Sequence, residues 1–552
     1  MPLKNFIPAI EWLPQYRLSL LKWDLVAGIT LAMFVFPESM AYASLAGLPG
    51  QYGIYCCMAG GLLFAIFTKG RQVAVGPTSA ISLMVGTSLA LLSGGDPAKW
   101  VAMAQLTALG VFMVCVAAYL LKLSSLVNFI GHNVLIGFKT GAACVIAATQ
   151  LPKLFGVEGG GANFFDRIYR LVLHLPETNL TVLFFGLAAL AVLIAGNRLL
   201  PGRPVSLLVV VGSIVLVGTT SIANQGLHLT GHIPSGLPDL AWPGLRFREV
   251  DEIFGLVLGV FFMGFIETSS VVRTFANKHK YPADARQELL SLGMANLATG
   301  LASGYPVSGG LSQSTVNDKA GAKTPLSLII CSLVLGIILL YFTGLFTKLP
   351  EVILAVVVLD AISGLMKIKE IKHLYSLSKV EFAVALIAVL GVLTFGILKG
   401  VLIAAIVSLA LLIKRVATPN VAVLGQIPGT SKFSDIKRHA DNVELPGIKI
   451  LRIESSILYF NEQHVSEQIR SIVSNTAGIH LLVLDLSNVS IVDVSGSEML
   501  LELCEHFSEK KINVRIVEAH SEVRDLLRQQ GIEDLVGHVS RKLDINDVVR
   551  NA

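Results

Sequence analysis

Charge is scarce in this sequence. Asp, Glu, Lys and Arg make up only 15% of its 552 residues, against 53% hydrophobic. A soluble domain carries about 25% charge, so most of this chain belongs in lipid. Cysteine is sparse as well. Cys56, Cys57, Cys115, Cys144 and Cys331 lie inside apolar segments and Cys504 in a polar tail. No pair has metal-ligand spacing, so neither a disulfide framework nor a zinc site is indicated. No catalytic constellation occurs, so an enzyme is not expected, nor is a cofactor. The net charge of +5 is modest and calls for no nucleic-acid partner, because Lys and Arg fall mainly in short loops between apolar runs. Residues 1–23 hold aromatic, proline and basic residues, with no apolar core followed by a small-residue cleavage site. They read as an interfacial, cytoplasmic lead-in rather than a signal peptide.

What is present is a series of apolar runs, several near the ~20 residues of a spanning helix. The first set lies at 24–46, 52–68, 73–92, 101–121, 125–151, 178–195 and 204–223. After a polar, Gly/Pro-rich connection (226–250), a second set lies at 252–275, 287–303, 307–320, 325–346, 350–366, 380–396 and 398–416. Seven runs per half, an odd number, give the halves opposite topology. This predicts fourteen segments in two membrane repeats, 24–225 and 251–417. The third run of each half is interrupted. Val73–Ser82 carries a Gly76-Pro77 break with Thr78, Ser79 and Ser82, and Tyr305–Ser314 carries a second break. Interrupted segments in corresponding positions of two halves point to a transporter's binding site. A helix starting in mid-membrane, read here as beginning at Pro77, offers free N–H groups and a positive dipole end to an anion. Basic residues such as Lys69/Arg71, Arg198/Arg203, Lys278/Lys280 and Lys367/Lys369/Lys372 fall on one side; Arg167/Arg170 and Arg246/Arg248 are exceptions. The asymmetry places both termini in the cytoplasm of a multi-pass protein of the inner (plasma) membrane.

After Thr418-Pro419 the composition changes. Strands are expected at Ile448–Ile453, Ile457–Phe460, His480–Leu486 and Asn513–Val517. Helices are expected at His464–Val473, Ser497–Ser508 and Ser521–Gln530. This alternation predicts a small soluble α/β domain, 418–552. It has no Gly-rich phosphate loop, HExxH or nucleophile elbow.

Several motifs together carry a resemblance. They are Phe36-Pro37-Glu38-Ser39-Met40-Ala41-Tyr42-Ala43, the Val75–Ser82 break, Gly137-Phe138-Lys139-Thr140-Gly141, Ile233-Pro234-Ser235-Gly236, Asn277–Leu289 and Val316–Thr324. The chain resembles the sulfate permease (SulP) family of anion transporters, whose animal branch includes prestin. Its tail resembles the STAS domain of that family around Leu484–Ser490 and Asp493–Gly496. The resemblance implies a seven-plus-seven inverted repeat split into core and gate domains. It also implies elevator-type alternating access and a homodimer.

On this basis Tyr42, Pro77, Thr78, Ser79, Gly309, Gly310, Ser312 and Gln313 are the candidate anion-binding residues. Against them stands a kinked helix whose hydroxyls bond back to its own carbonyls. Gln313 stands where some vertebrate members carry a basic residue, so dipoles and N–H groups must do the binding. Glu38 and Glu267 are intramembrane acids, costly in lipid. Glu267 is read as the principal proton-coupling site and Glu38 as a secondary one. The rival for Glu267 is an ion pair with Lys139 or Arg273; for Glu38 it is a carboxyl that never titrates. Lys139, Asp360, His132, Arg286 and Glu288 read as structural. Anti-anti-sigma STAS domains carry a phosphorylatable serine after the loop aspartate; Val494 stands there instead, and Ser495 is expected to cap the following helix.

The function expected is secondary active transport, most simply proton-coupled sulfate symport. The sulfate assignment comes from the likeness of Pro306–Thr324 to sulfate-carrying members. Bicarbonate (with or without sodium coupling) and C4-dicarboxylates are alternatives, as is a channel-like or sensory anion-binding protein signalling through STAS. Its tail would serve dimer packing, folding or a cytoplasmic partner.

Overall fold

The computed structural model describes residues 6–551, apart from 95, 124–130, 162, 200–203, 232–233, 241 and 244–246. Expectations placed on Arg203, Arg246, Ile233 and the side chains of His132 and Arg248 lie outside what is described. Residues 1–408 and 409–552 form two units.

The first unit opens with a short helix α1 (Ala9–Trp12), then α2 (Leu21–Leu45), α3 (Gly50–Phe67), a two-residue strand β1 (Val75–Gly76) and α4 (Ser79–Leu92). It continues through α5 (Pro97–Leu120), α6 (His132–Phe155), α7 (Phe164–His174), α8 (Leu180–Leu199) and α9 (Val205–Thr219). The second half holds α10 (Phe247–His279), α11 (Ala285–Leu301), β2 (Ser308–Gly309), α12 (Leu311–Lys319), α13 (Leu326–Tyr341), α14 (Glu351–Ser363), α15 (Ile368–Leu377), α16 (Lys379–Phe395) and α17 (Ile397–Ala417). Among the described residues, six helices (α2, α3, α5, α6, α8 and α10) are long and apolar enough to cross a membrane.

Two packing groups emerge. Helices α2, α3 and α5 pack with α10, α11 and α13, whereas α6 packs with α14 and α16, and α14 with α8. Small residues permit the closest approaches. A Cβ on Gly53 would lie 1.9 Å from the Ser39 carbonyl oxygen, and one on Gly137 2.1 Å from that of Ala385. Pro37 sits inside α2, where it removes one helical N–H.

The structure corrects the helix start at Pro77. Helix α4 begins at Ser79, with Thr78 as an extended N-cap (φ −120°, ψ 153°). The preceding backbone is engaged elsewhere: Val75 pairs with Gly309 and Gly76 with Ser308. The run at 307–320 is likewise helical only from Leu311. Helices α7 and α15 fall in stretches assigned to connections. Each has an apolar stripe among charges, too polar to register as a membrane run.

The tail comprises β3 (Val421–Gln426), β4 (Phe433–Asp435), β5 (Ile448–Ile453), α18 (Glu462–Ser474), β6 (Leu481–Asp485), α19 (Val494–Glu509), β7 (Asn513–Val517), α20 (Ser521–Gln529), α21 (Glu533–Val536) and α22 (Ile545–Arg550). Sheet order is β4-β3-β5-β6-β7. Strands β5, β6 and β7 are parallel, and β3 is antiparallel to both neighbours. The β3–β4 hairpin was not anticipated, and Ile457–Phe460 is not a strand; only Ile457 bridges, to Val492. Ser495 is not the cap. Asp493 caps α19 by accepting from Gly496 N at 2.8 Å, and its other oxygen accepts from Tyr459 N at 2.8 Å. Asp493→Ala therefore removes a cap worth about 1 kcal/mol, read as faster amide exchange in the first turn of α19 in the full-length protein.

Candidate functional site

Two breaks in apolar sequence meet in space. In lipid an extended segment cannot hydrogen-bond to water, so it must find protein partners. The two breaks supply them to each other through β1 and β2, extended by Gly310 N donating to Ala74 O at 3.1 Å. Side chains complete the accounting. Ser314 Oγ accepts from Ala74 N (2.8 Å) and Thr268 Oγ1 accepts from Gly309 N (2.9 Å). Asn296 holds both backbone groups of Val307: its Oδ1 accepts from Val307 N at 3.0 Å and its Nδ2 donates to Val307 O at 3.1 Å.

Helices α4 and α12 thus start next to each other. With 14 and 9 residues, at ~1.5 Å per residue they span only roughly 21 and 14 Å, less than a bilayer core. Their first-turn N–H groups have no partner inside the helix. Both starts face a cavity of about 520 Å³. Tyr42, Pro77, Thr78, Ser79, Gly309, Gly310, Ser312, Gln313, Glu38 and Glu267 all line it. Its opposite wall comes from the other packing group, with Lys139 on α6, Asn197 on α8 and Asp360 on α14.

Each acid is held by hydroxyls. Glu267 Oε2 accepts from Ser308 Oγ (2.8 Å) and Thr78 Oγ1 (3.1 Å). Glu38 Oε1 accepts from Tyr42 OH (3.0 Å) and Ser312 Oγ (3.1 Å). Glu38 Oε2 and Gln313 Oε1 are buried without a partner, while Gln313 Nε2 donates to Pro77 O at 3.1 Å. Among the described residues neither Lys139 nor Arg273 lies within ion-pair distance of Glu267. Lys139 shares the cavity with Glu267 and, among the described residues, has no carboxylate within ion-pair distance. Asp360 accepts from Asn197 Nδ2 at 2.9 Å.

Glu288 and Arg286 lie outside the cavity and hold loops. Glu288 accepts from Thr68 Oγ1 (3.0 Å) and Lys69 N (3.2 Å); Arg286 Nε donates to Tyr119 O (3.2 Å). Ser308 and Asn296 were missed as candidates. Ser308 lies within the second break, but Asn296 stood out only as an amide in an apolar run.

A model of the sulfate permease family matches residues 21–388, and one of the STAS domain matches 439–546. The chain belongs to the sulfate permease family. Sulfate transporter 4.1, chloroplastic, of Arabidopsis thaliana is 30% identical over 567 residues, covering 99% of this chain and 82% of that protein. A probable sulfate transporter of Mycobacterium tuberculosis is 28% identical over 537 residues, covering 97% and 95%. Among solved structures, the murine solute carrier 26 family member A9 anion transporter in the inward-facing state superposes with a TM-score of 0.90 at 22% identity, covering 99% of this chain and 94% of that one. The transmembrane domain of a cyanobacterium bicarbonate transporter gives 0.61 at 21% identity, covering 71% and 98%. Both likenesses concern the fold. This permease is therefore a multi-pass membrane protein of an anion-transporting family.

Asn296→Ala leaves Val307 N–H and C=O unpaired in an apolar setting, at about 1–3 kcal/mol for each group. The expected result is a lower unfolding temperature of the purified protein and loss of stabilisation by added anion.

Proposed function

We propose that this permease is a proton-coupled sulfate symporter. The observation that carries this reading is that the hydroxyls best placed to bind an anion are already donated to the two acids. Ionised Glu267 occupies the Thr78 and Ser308 hydroxyls, and ionised Glu38 those of Tyr42 and Ser312. A carboxylate and a sulfate compete for the same donors and repel each other. Protonation removes the negative charge and frees the hydroxyls to turn to the anion, beside the N–H groups of α4 and α12. Loading one species therefore favours the other, which is positive coupling between two ligands. Glu267 is the principal coupling residue and Glu38 the secondary one.

Tyr42 lies on α2, and the donors from Thr78, Ser79, Gly310, Ser312 and Gln313 lie at the starts of α4 and α12, which pack against α2 and α10 and so go with that packing group. Sliding that group against α6, α8 and α14 would carry the whole site across the membrane, an elevator-type movement. We read the membrane unit as fourteen segments in a seven-plus-seven inverted repeat (24–225 and 251–417). Both termini lie in the cytoplasm, and a homodimer is supported by its STAS domain (418–552). Sulfate is favoured because the relatives named above are sulfate transporters.

The test is uptake of labelled sulfate into proteoliposomes with and without an inward proton gradient. Acid-stimulated, saturable uptake is expected. Glu267→Gln should keep sulfate exchange while its uptake no longer responds to the gradient; gradient-driven uptake by this variant sinks the assignment. Uptake of bicarbonate or succinate in place of sulfate would reassign the substrate. Silence with all three would favour an anion sensor.

A further inference from the structure

A second cavity, of about 500 Å³, shares no lining residue with the first. It is formed where the α3–β1, α10–α11 and α12–α13 connections meet the N-terminal lead-in around α1. Most polar groups around it are satisfied. Asp24, fully buried, accepts from Lys323 N (2.7 Å), Thr324 N (3.0 Å), Thr324 Oγ1 (2.7 Å) and Tyr16 OH (3.2 Å). Lys69 is paired with Asp284 at 2.8 Å.

Two cations are left over. Arg71 and Lys323 line the cavity with no carboxylate within 4 Å among the described residues. Arg71 stands 5.4 Å from the ring centre of Tyr281, and Lys323 stands 5.9 Å from that of Trp23. The Trp12 indole N–H, on the lead-in side, is out of solvent and has no acceptor. Glu11, exposed, is the only acid among the lining residues and pairs with neither cation. Both are exposed, so water solvates them in the free protein, and an anion entering the cavity meets two cations that no ion pair occupies. Its setting narrows the kind. Leu13, Leu18 and Trp23, on the same lead-in but outside the lining, are 55%, 81% and 50% exposed, apolar and aromatic side chains of the sort that sit at headgroup depth.

We propose that this cavity binds a phosphate group, from an anionic lipid headgroup or a soluble phosphate compound, between Arg71 and Lys323. The guanidinium supplies a two-pronged contact to phosphate oxygens and the ammonium a point charge. A bound phosphate neutralises two like charges in one pocket and ties the lead-in to three connections, one of which leads out of the transport half-helix α12. This site is independent of the transported ion.

The experiment is native mass spectrometry of the full-length protein in neutral detergent, titrated with dioctanoyl phosphatidylglycerol or with inorganic pyrophosphate. The double variant Arg71→Gln/Lys323→Gln is compared with Lys369→Gln/Lys372→Gln, which removes the same charge from α15. The backbone contacts of both positions, Arg71 N to Tyr281 OH (3.3 Å) and Lys323 N to Asp24, do not need the native side chains. Binding of at least one probe is expected, weakened about 30-fold in the double variant and unchanged in the α15 control. Lipid binding that is weakened in the double variant, with no pyrophosphate binding, identifies a headgroup; pyrophosphate binding that is weakened in it, with no lipid binding, identifies a soluble phosphate. Should the double variant misfold, each single variant is expected to lose about fivefold. Absence of binding by the native protein overturns the proposal. So does an equal response of the two double variants, or retained affinity without Arg71 and Lys323.

Discussion

The membrane unit depends on one short pairing, Val75 with Gly309 and Gly76 with Ser308. A helix can begin in the middle of a bilayer only if the extended backbone leading to it is satisfied by protein. Here each break is the other's partner, and Asn296, Thr268 and Ser314 provide what the pairing leaves open. The contact is tight. A Cβ on Gly309 would lie 3.0 Å from Thr268 Cα, and one on Gly76 2.9 Å from Gln313 Oε1. Bringing the breaks together is what makes two isolated half-helix starts into one site.

Two intramembrane acids with no ion-paired cation among the described residues would be an expensive arrangement in plain hydrocarbon. The same half-helices make it tolerable. Their N-terminal dipole ends favour negative charge nearby, and four hydroxyls donate to the two carboxylates. Under the proposed function, the donors that hold the carboxylates also suit an inorganic anion, since both need oxygen-directed donors. Lys139 adds a cation from the facing wall of the cavity, so that positive charge and donor groups come from different packing groups.

The STAS domain uses an acid in another way. Asp493 closes the loop before α19 by accepting from Gly496 N and Tyr459 N. Val494 stands exposed at the place of the serine found in anti-anti-sigma relatives, at 59% of its free surface. The loop is thus built as a structural corner, with valine in place of a hydroxyl at that position.

Much of this was legible in one dimension. Low charge, apolar runs and alternation in the tail determined a polytopic membrane protein with an α/β appendage, because burial in lipid and in a sheet each impose their own pattern. The two Gly/Pro-broken stretches, Val73–Ser82 and Tyr305–Ser314, were legible as breaks, and the structure pairs them with each other. Local composition could not specify the helix start at Ser79 rather than Pro77, which follows from a strand partner more than 200 residues away. Nor could it reveal the β3–β4 hairpin, whose short strands gain their place from neighbours already in the sheet. The roles of Asn296, Ser308 and Asp24 were equally hidden, since an isolated polar residue acquires meaning only from what faces it. Residue types were set by sequence; which hydroxyl meets which acid, and which cations stand without a partner, was decided by tertiary packing, because hydrogen bonds and ion pairs depend on distances that the chain order does not contain.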